Sequence, residues 1–176
     1  NYHKPVDGAN DAASGVGVLM EIARQLQAQQ PEVGVDILYT DAEDYGEPQF
    51  YKGETKEESW CLGSQYWAKN PHIPGYRARY GILLDMVGAP NATFPREAYS
   101  MMFAPHIVSK VWSEAQKSGF GNYFLDKNGG YITDDHVPIN KIIGIPTIDI
   151  IHYDENGFGS FWHTQNDTME NIDKNT

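Results

Sequence analysis

Carboxylates and histidines gather in short clusters along this sequence rather than scattering evenly. Asp11 opens the run Asp11-Ala12-Ala13-Ser14-Gly15, Glu43 and Asp44 close the cluster Asp41-Ala42-Glu43-Asp44, and Asp85 ends the apolar stretch Ile82-Leu83-Leu84. Further on come Asp134-Asp135-His136 and Trp162-His163-Thr164. Carboxylate oxygens with an imidazole nitrogen suit a divalent cation that takes N and O ligands. Each residue also has a plainer role open to it. Asp11 fits a helix N-cap, Glu43 and Asp44 a solvated turn, Asp134 and Asp135 the cap of a helix holding His136. His163 fits a core histidine bonded to a carbonyl, and Phe158 and Trp162 fit core aromatics. Asp85 is the hardest to explain plainly, because an acid within an apolar strand must find a partner.

The elements that carry these residues decide between the two readings. Val16, Leu19, Ile22, Ala23 and Leu26 recur at helical spacing, which predicts an amphipathic helix over 11–27, closed by Pro31. Residues 33–39 and 80–87 read as buried strands, and 145–151 as a third, announced by Gly144 and Pro146. A helix is predicted to start over 63–68, and Val108, Val111, Trp112 and Ala115 mark another. Residues 126–131, with Gly129-Gly130, read as a turn-rich link, and 45–59 as a long polar loop of the kind that is functional or mobile. Helices alternating with near-continuous apolar strands predict an α/β fold with a mixed, mostly parallel central sheet and helices on both faces. In such sheets sites form at the carboxyl ends of the strands. The acids and His163 all follow strands or open helices there, so they share one rim.

Composition narrows the function. The chain has 176 residues, with 24 acids against 13 Lys plus Arg and a formal net charge of −11. Length predicts a single domain over 1–176. The acidic balance argues against a nucleic-acid partner, which needs clustered cations. No apolar run reaches the ~18 residues of a membrane span. Cys61 is the one cysteine and has no internal disulfide partner. Both ends read as cut, so N-terminal strands and a C-terminal helix are expected beyond them.

The residues Asp11-Ala12-Ala13-Ser14-Gly15, a helix ending Glu21-Ile22-Ala23-Arg24, and the acidic pair Glu43-Asp44 after a strand resemble the M28 zinc aminopeptidase-like superfamily. Within it, the stretch Leu83-Leu84-Asp85-Met86-Val87-Gly88-Ala89-Pro90-Asn91-Ala92-Thr93-Phe94-Pro95 resembles zinc-dependent glutaminyl cyclases, with Asp134-Asp135-His136-Val137-Pro138 and Trp162-His163-Thr164 completing the pattern. Asp41 to Gly46 and Trp60 to Gln65 are more similar to the bacterial branch than to the animal one.

The resemblance implies one zinc per chain held by Asp11, Asp44 and His163, with Glu43 as proton shuttle. It implies that Asp134 and Asp85 form an acidic network beside Glu43, and that Phe158, Trp162 and Trp60 line the substrate pocket. The expected substrates are peptides with an N-terminal glutamine, and bacterial members are expected to lie outside the cytoplasm. Asp44 departs from the Glu of animal cyclases and is one methylene shorter. The rival expectation is a two-zinc aminopeptidase that hydrolyses the first peptide bond; a third is a non-catalytic peptide-binding relative. His3, His72, His106 and His152 match no ligand position and are expected to be structural.

Overall fold

A computed structural model describes residues 4–46, 52–53 and 56–175. Its elements, in order, are α1 (Ala13–Ala28), α2 (Leu62–Lys69), β1 (Gly81–Asp85), β2 (Phe94–Arg96), α3 (Ala98–Phe103), α4 (Pro105–Lys117), β3 (Phe124–Asn128), α5 (His136–Pro138) and β4 (Thr147–Ile151). A π-helical turn, Ile139–Ile143, follows α5, and Gly144 ends it in the left-handed region. The expected residue His3 and part of the long polar loop, 47–51 and 54–55, lie outside the described residues.

Two parallel strand pairs organise the chain. β1 pairs with β4 in an unbroken register from Gly81 opposite Thr147 to Asp85 opposite Ile151. β2 pairs with β3 from Phe94 opposite Phe124 to Arg96 opposite Asn128, with an irregularity between. Parallel partners require crossovers, and α3, α4 and α5 supply them. The core lies where these layers meet: Val108, Trp112, Ile148, Ala92, Phe94 and Ile150 are buried together. Each Val, Ile or Phe among them contributes roughly 1.5–3 kcal/mol on burial. The Trp112 indole N–H donates to the Leu125 carbonyl at 3.0 Å, so the ring is buried without an orphaned donor.

Three expectations are corrected. Residues 33–39 form no ladder, and Val33, Val35, Leu38 and Tyr39 are exposed. A strand exists only with a hydrogen-bonded neighbour, and among the described residues none lies beside this segment. β1 is not buried on both faces, since Ile82 is exposed, and α1 likewise leaves Val16 and Ile22 exposed. The turn-rich link at 126–131 is half strand: β3 runs on to Asn128 before the glycines.

α1 nonetheless sits hard against β1. A Cβ on Gly15 would come within 2.2 Å of the Leu84 carbonyl oxygen, so only glycine permits this approach. That contact places the start of α1, and with it Asp11, beside the carboxyl end of β1.

Candidate active site and metal centre

Four loops meet at the carboxyl ends of β1 and β4. The loop before α1 carries Asp11, whose backbone is pinned by Asp167: the Asp167 carboxylate accepts the N–H groups of Asn10 at 2.8 Å and Asp11 at 3.0 Å. Asp11 does not cap the helix; Ala12 occupies the cap position and no side chain bonds there. Asn10 and Ser14 bind the next loop, accepting the N–H groups of Gly88 and Val87, both at 3.0 Å.

The loop with Glu43 and Asp44 is fastened to the start of α2. The consecutive N–H groups of Cys61, Leu62 and Gly63 donate to the carbonyls of Glu43, Ala42 and Asp41 at 2.8, 3.1 and 3.1 Å. A Cβ on Gly63 would lie 2.4 Å from the Asp41 carbonyl oxygen, which makes glycine obligatory there. Non-glycine residues with positive φ cluster around the same centre: Ala42 at 53°, Cys61 at 54°, Met86 at 47° and His163 at 55°. Such backbone persists where surrounding contacts over-determine it, and it concentrates at functional sites.

Three donors converge at the rim. His163 Nε2 lies 3.1 Å from Asp44 Oδ2 and 3.4 Å from Asp11 Oδ2. The donor atoms of all three fall within 4.8 Å of one another. Tetrahedral bonds of ~2.0–2.1 Å place neighbouring donors about 3.3–3.4 Å apart, so the set fits a zinc ion. His163 is not a core histidine, since its side chain is 31% exposed.

The charges confirm how unusual this concentration is. Burial, then the neighbouring Asp44, push the Asp11 carboxyl up to about 6. Burial, with Asp44, Asp85 and Asp135 nearby, pushes Glu43 up to about 9. Asp85 rises to about 8 through burial and Asp11. Asp134 is buried and rises well above the ordinary range, again through burial and then through Asp149 and Asp85. Asp44 alone goes down, because its hydrogen bond and ion pair with His163 outweigh its burial. The same bond raises His163. A pool of carboxyls that suppress one another's ionisation is a place where a cation is wanted.

These residues wall a cavity of about 820 Å³, together with Trp60, Tyr131, Tyr153, Phe158 and Trp162. Trp162 stacks on His163 with ring centroids 4.0 Å apart, Phe158 packs on Trp162 at 4.7 Å, and Tyr153 on Phe158 at 5.3 Å. All nine residues expected at the site therefore border one cavity: Asp11, Glu43, Asp44, Trp60, Asp85, Asp134, Phe158, Trp162 and His163.

Sequence reasoning gave no site role to three supporting residues. Asp167 holds Asp11 as described, and Asp135 accepts hydrogen bonds from Ser64 Oγ at 2.6 Å and from the Thr40 hydroxyl. Asp149 is fully buried in β4 and also rises well above the ordinary range through burial and its acidic neighbours. An acid at the centre of an apolar strand was the one available signal for Asp149. Of the other histidines, His152 Nδ1 faces the backbone of Thr93, His72 Nδ1 accepts from the Trp67 indole and His106 is exposed on α4.

Residues 2–176 match peptidase family M28. The glutaminyl-peptide cyclotransferase of Bos taurus is 28% identical over 96% of this chain and 52% of its own length. The glutaminyl cyclase of Bacteroides thetaiotaomicron, solved with N-acetylhistamine bound, superposes with a TM-score of 0.96 at 60% identity, over 98% of this chain and 60% of that one. A Zn-dependent exopeptidase from Parabacteroides distasonis gives 0.93 at 55%, over 97% of this chain and 59% of that one. The chain thus spans about half the length of the bovine relative.

Proposed function

The chain belongs to peptidase family M28, and from that membership we propose that it cyclises the N-terminal glutamine of peptides to pyroglutamate, releasing ammonia, with one zinc per chain. The observation that carries this reading is the convergence of Asp11, Asp44 and His163 beside Glu43 in an aromatic-walled cavity. Those three residues would hold the metal, which when bound supplies Lewis-acid polarisation of a carbonyl. The similarity to a bacterial glutaminyl cyclase at 60% identity supports the choice of reaction.

The residues of the chain would do the rest. Phe158, Trp162 and Trp60 hold the glutamine side chain so that its amide carbon lies within reach of the peptide's own α-amine. Proximity then supplies much of the rate. As the amine nitrogen bonds to that carbon, Glu43, which a bound cation would hold ionised despite the acids around it, takes an amine proton and hands it to the departing amide nitrogen, which leaves as ammonia. Asp85 and Asp134 keep this proton traffic confined, since each carries a carboxyl whose surroundings favour the protonated form. No water is consumed. Residues 1–176 form one M28-like domain in this reading, and an extracytoplasmic address follows from the resemblance alone. Among the described residues no helix is long and apolar enough to cross a membrane.

The second reading is a zinc aminopeptidase, favoured by the likeness to the Zn-dependent exopeptidase. Glu43 would then activate water against the first peptide bond. A binding protein without activity is the weakest reading, because it gives no reason to gather so many carboxyls that raise one another. Incubation of the zinc-loaded protein with a Gln-X-X peptide separates the first two by mass. Loss of ammonia from an intact peptide is expected, and Glu43→Gln should reduce it by about 10²–10⁴-fold. Release of free glutamine would instead establish the aminopeptidase.

A further inference from the structure

Cys61 stands in a place that a merely structural cysteine would not need. It is 2% exposed, has left-handed backbone, and its N–H is the first of the three that fasten the Glu43 loop to α2. Its Sγ lies 3.7 Å from Glu43 Oε1, within the reach of an S–H donor. Donor atoms of Cys61, Glu43 and Asp134 fall within 4.8 Å of one another, so the thiol stands inside the acid cluster rather than beside it.

We propose that Cys61 is a positioning residue for the reaction: its thiol donates to one oxygen of the Glu43 carboxylate and so sets how that carboxylate faces the substrate amine. The backbone clasp fixes where the Glu43 Cα lies, and the thiol fixes how its carboxylate is turned. Burial and the surrounding acids push the thiol up, which keeps it S–H and therefore a donor. A weak donor is suited to the task. It orients the carboxylate without competing strongly for the proton that Glu43 must accept and release. The role rests on Glu43 being the proton shuttle.

Since Cys61 is the only cysteine of the chain, the infrared S–H stretching band reports on it alone. The band should lie at the hydrogen-bonded position in the wild type and move to the free-thiol position in Glu43→Ala. Cys61→Ala should lower kcat about three- to tenfold, the worth of one modest hydrogen bond, with KM unchanged. Cys61→Ser keeps a donor and should restore most of the loss. A free-thiol band in the wild type would overturn the proposal. So would wild-type kcat in Cys61→Ala, or equal losses in the alanine and serine variants, which would mean packing. Absence of cyclisation in the wild type would overturn the reaction itself and this role with it. The band shift would still report whether the thiol bonds Glu43.

Discussion

Two histidines sit among carboxylates in this molecule, and their surroundings could hardly differ more. His136 is fully buried, with Nε2 3.1 Å from Glu97 Oε2 and Nδ1 3.9 Å from Asp149 Oδ2. Glu97 is also the cap of α3, where it accepts the N–H groups of Tyr99 at 2.7 Å and Ser100 at 2.6 Å, the Ser100 hydroxyl at 2.7 Å and the Ile132 N–H at 3.1 Å. Burial raises the Glu97 carboxyl, but His136 and those backbone donors win and hold it below its ordinary value. At the rim His163 faces Asp11 and Asp44, and the wider acid pool beside them is pushed upward instead. A carboxylate that the fold itself supplies with donors is part of the architecture. Carboxylates that mostly face one another await a cation.

Substitution of each histidine gives the sharpest test of that contrast. His163→Ala should leave the protein folded but abolish zinc retention after dialysis, and with it cyclisation. His136→Ala should do the opposite. Removing one member of a buried ion pair costs on the order of 3–5 kcal/mol, measured by denaturant unfolding, while zinc per folded molecule stays at the wild-type level. Zinc loss in His136→Ala without destabilisation would erase the distinction between the two groups.

A milder change probes how the rim is built. Asp167 is 1% exposed and holds the backbone of Asn10 and Asp11 through both of its oxygens. Asp167→Asn replaces one acceptor oxygen by a donor and turns it toward an N–H. Supporting partners of metal ligands are commonly worth about 10–100-fold in affinity, and zinc binding should weaken by that much in a competition assay with a chromogenic chelator. Unchanged affinity would mean that Asp11 is held by α1 alone.

Much of this was legible before the structure. The apolar periodicity of α1 and α4 and the apolar runs of β1 and β4 survive with boundaries moved by a few residues. Part of the rim was legible because Asp85 ends β1 and Asp11 stands just before α1, whereas Glu43 and Asp44 reach the same edge although the segment before them forms no ladder. The segment 33–39 was misread because apolar alternation encodes a preference for a neighbour and says nothing about whether one is present. β2 is three residues long with Pro95 at its centre, and α3 is six, too short for either period to register. The Glu97–His136 pair was invisible for another reason. Its members lie 39 positions apart and meet only once α3 and α5 are packed, and Glu97 reads in sequence as an ordinary surface acid. Local pattern carries elements and edges, whereas pairings across the core are written only in three dimensions.

The two regions also differ in pH dependence, which takes opposite signs in them. A carboxyl raised in the folded state binds its proton more tightly there than in the unfolded chain. The stability it contributes is full below its unfolded value and is lost as pH rises through the folded one, which is about 6 for Asp11, about 8 for Asp85 and about 9 for Glu43. Glu97 is lowered, so its contribution is present above its unfolded value and is lost as pH falls. Metal-free protein should therefore lose Tm gradually from about pH 5 to about pH 9 through the rim, and separately in acid through the Glu97 group. Zinc held at the proposed site would bind ionised carboxylates and should flatten the alkaline limb while leaving the acid limb as it was. Glu43→Gln should remove the upper part of the alkaline slope, and His136→Ala should alter the acid side, where Glu97 loses its partner. A metal-free Tm that stays level between those pH values would mean that the rim carboxyls are no more strained than surface ones, and the case for a cation site would lose its electrostatic half.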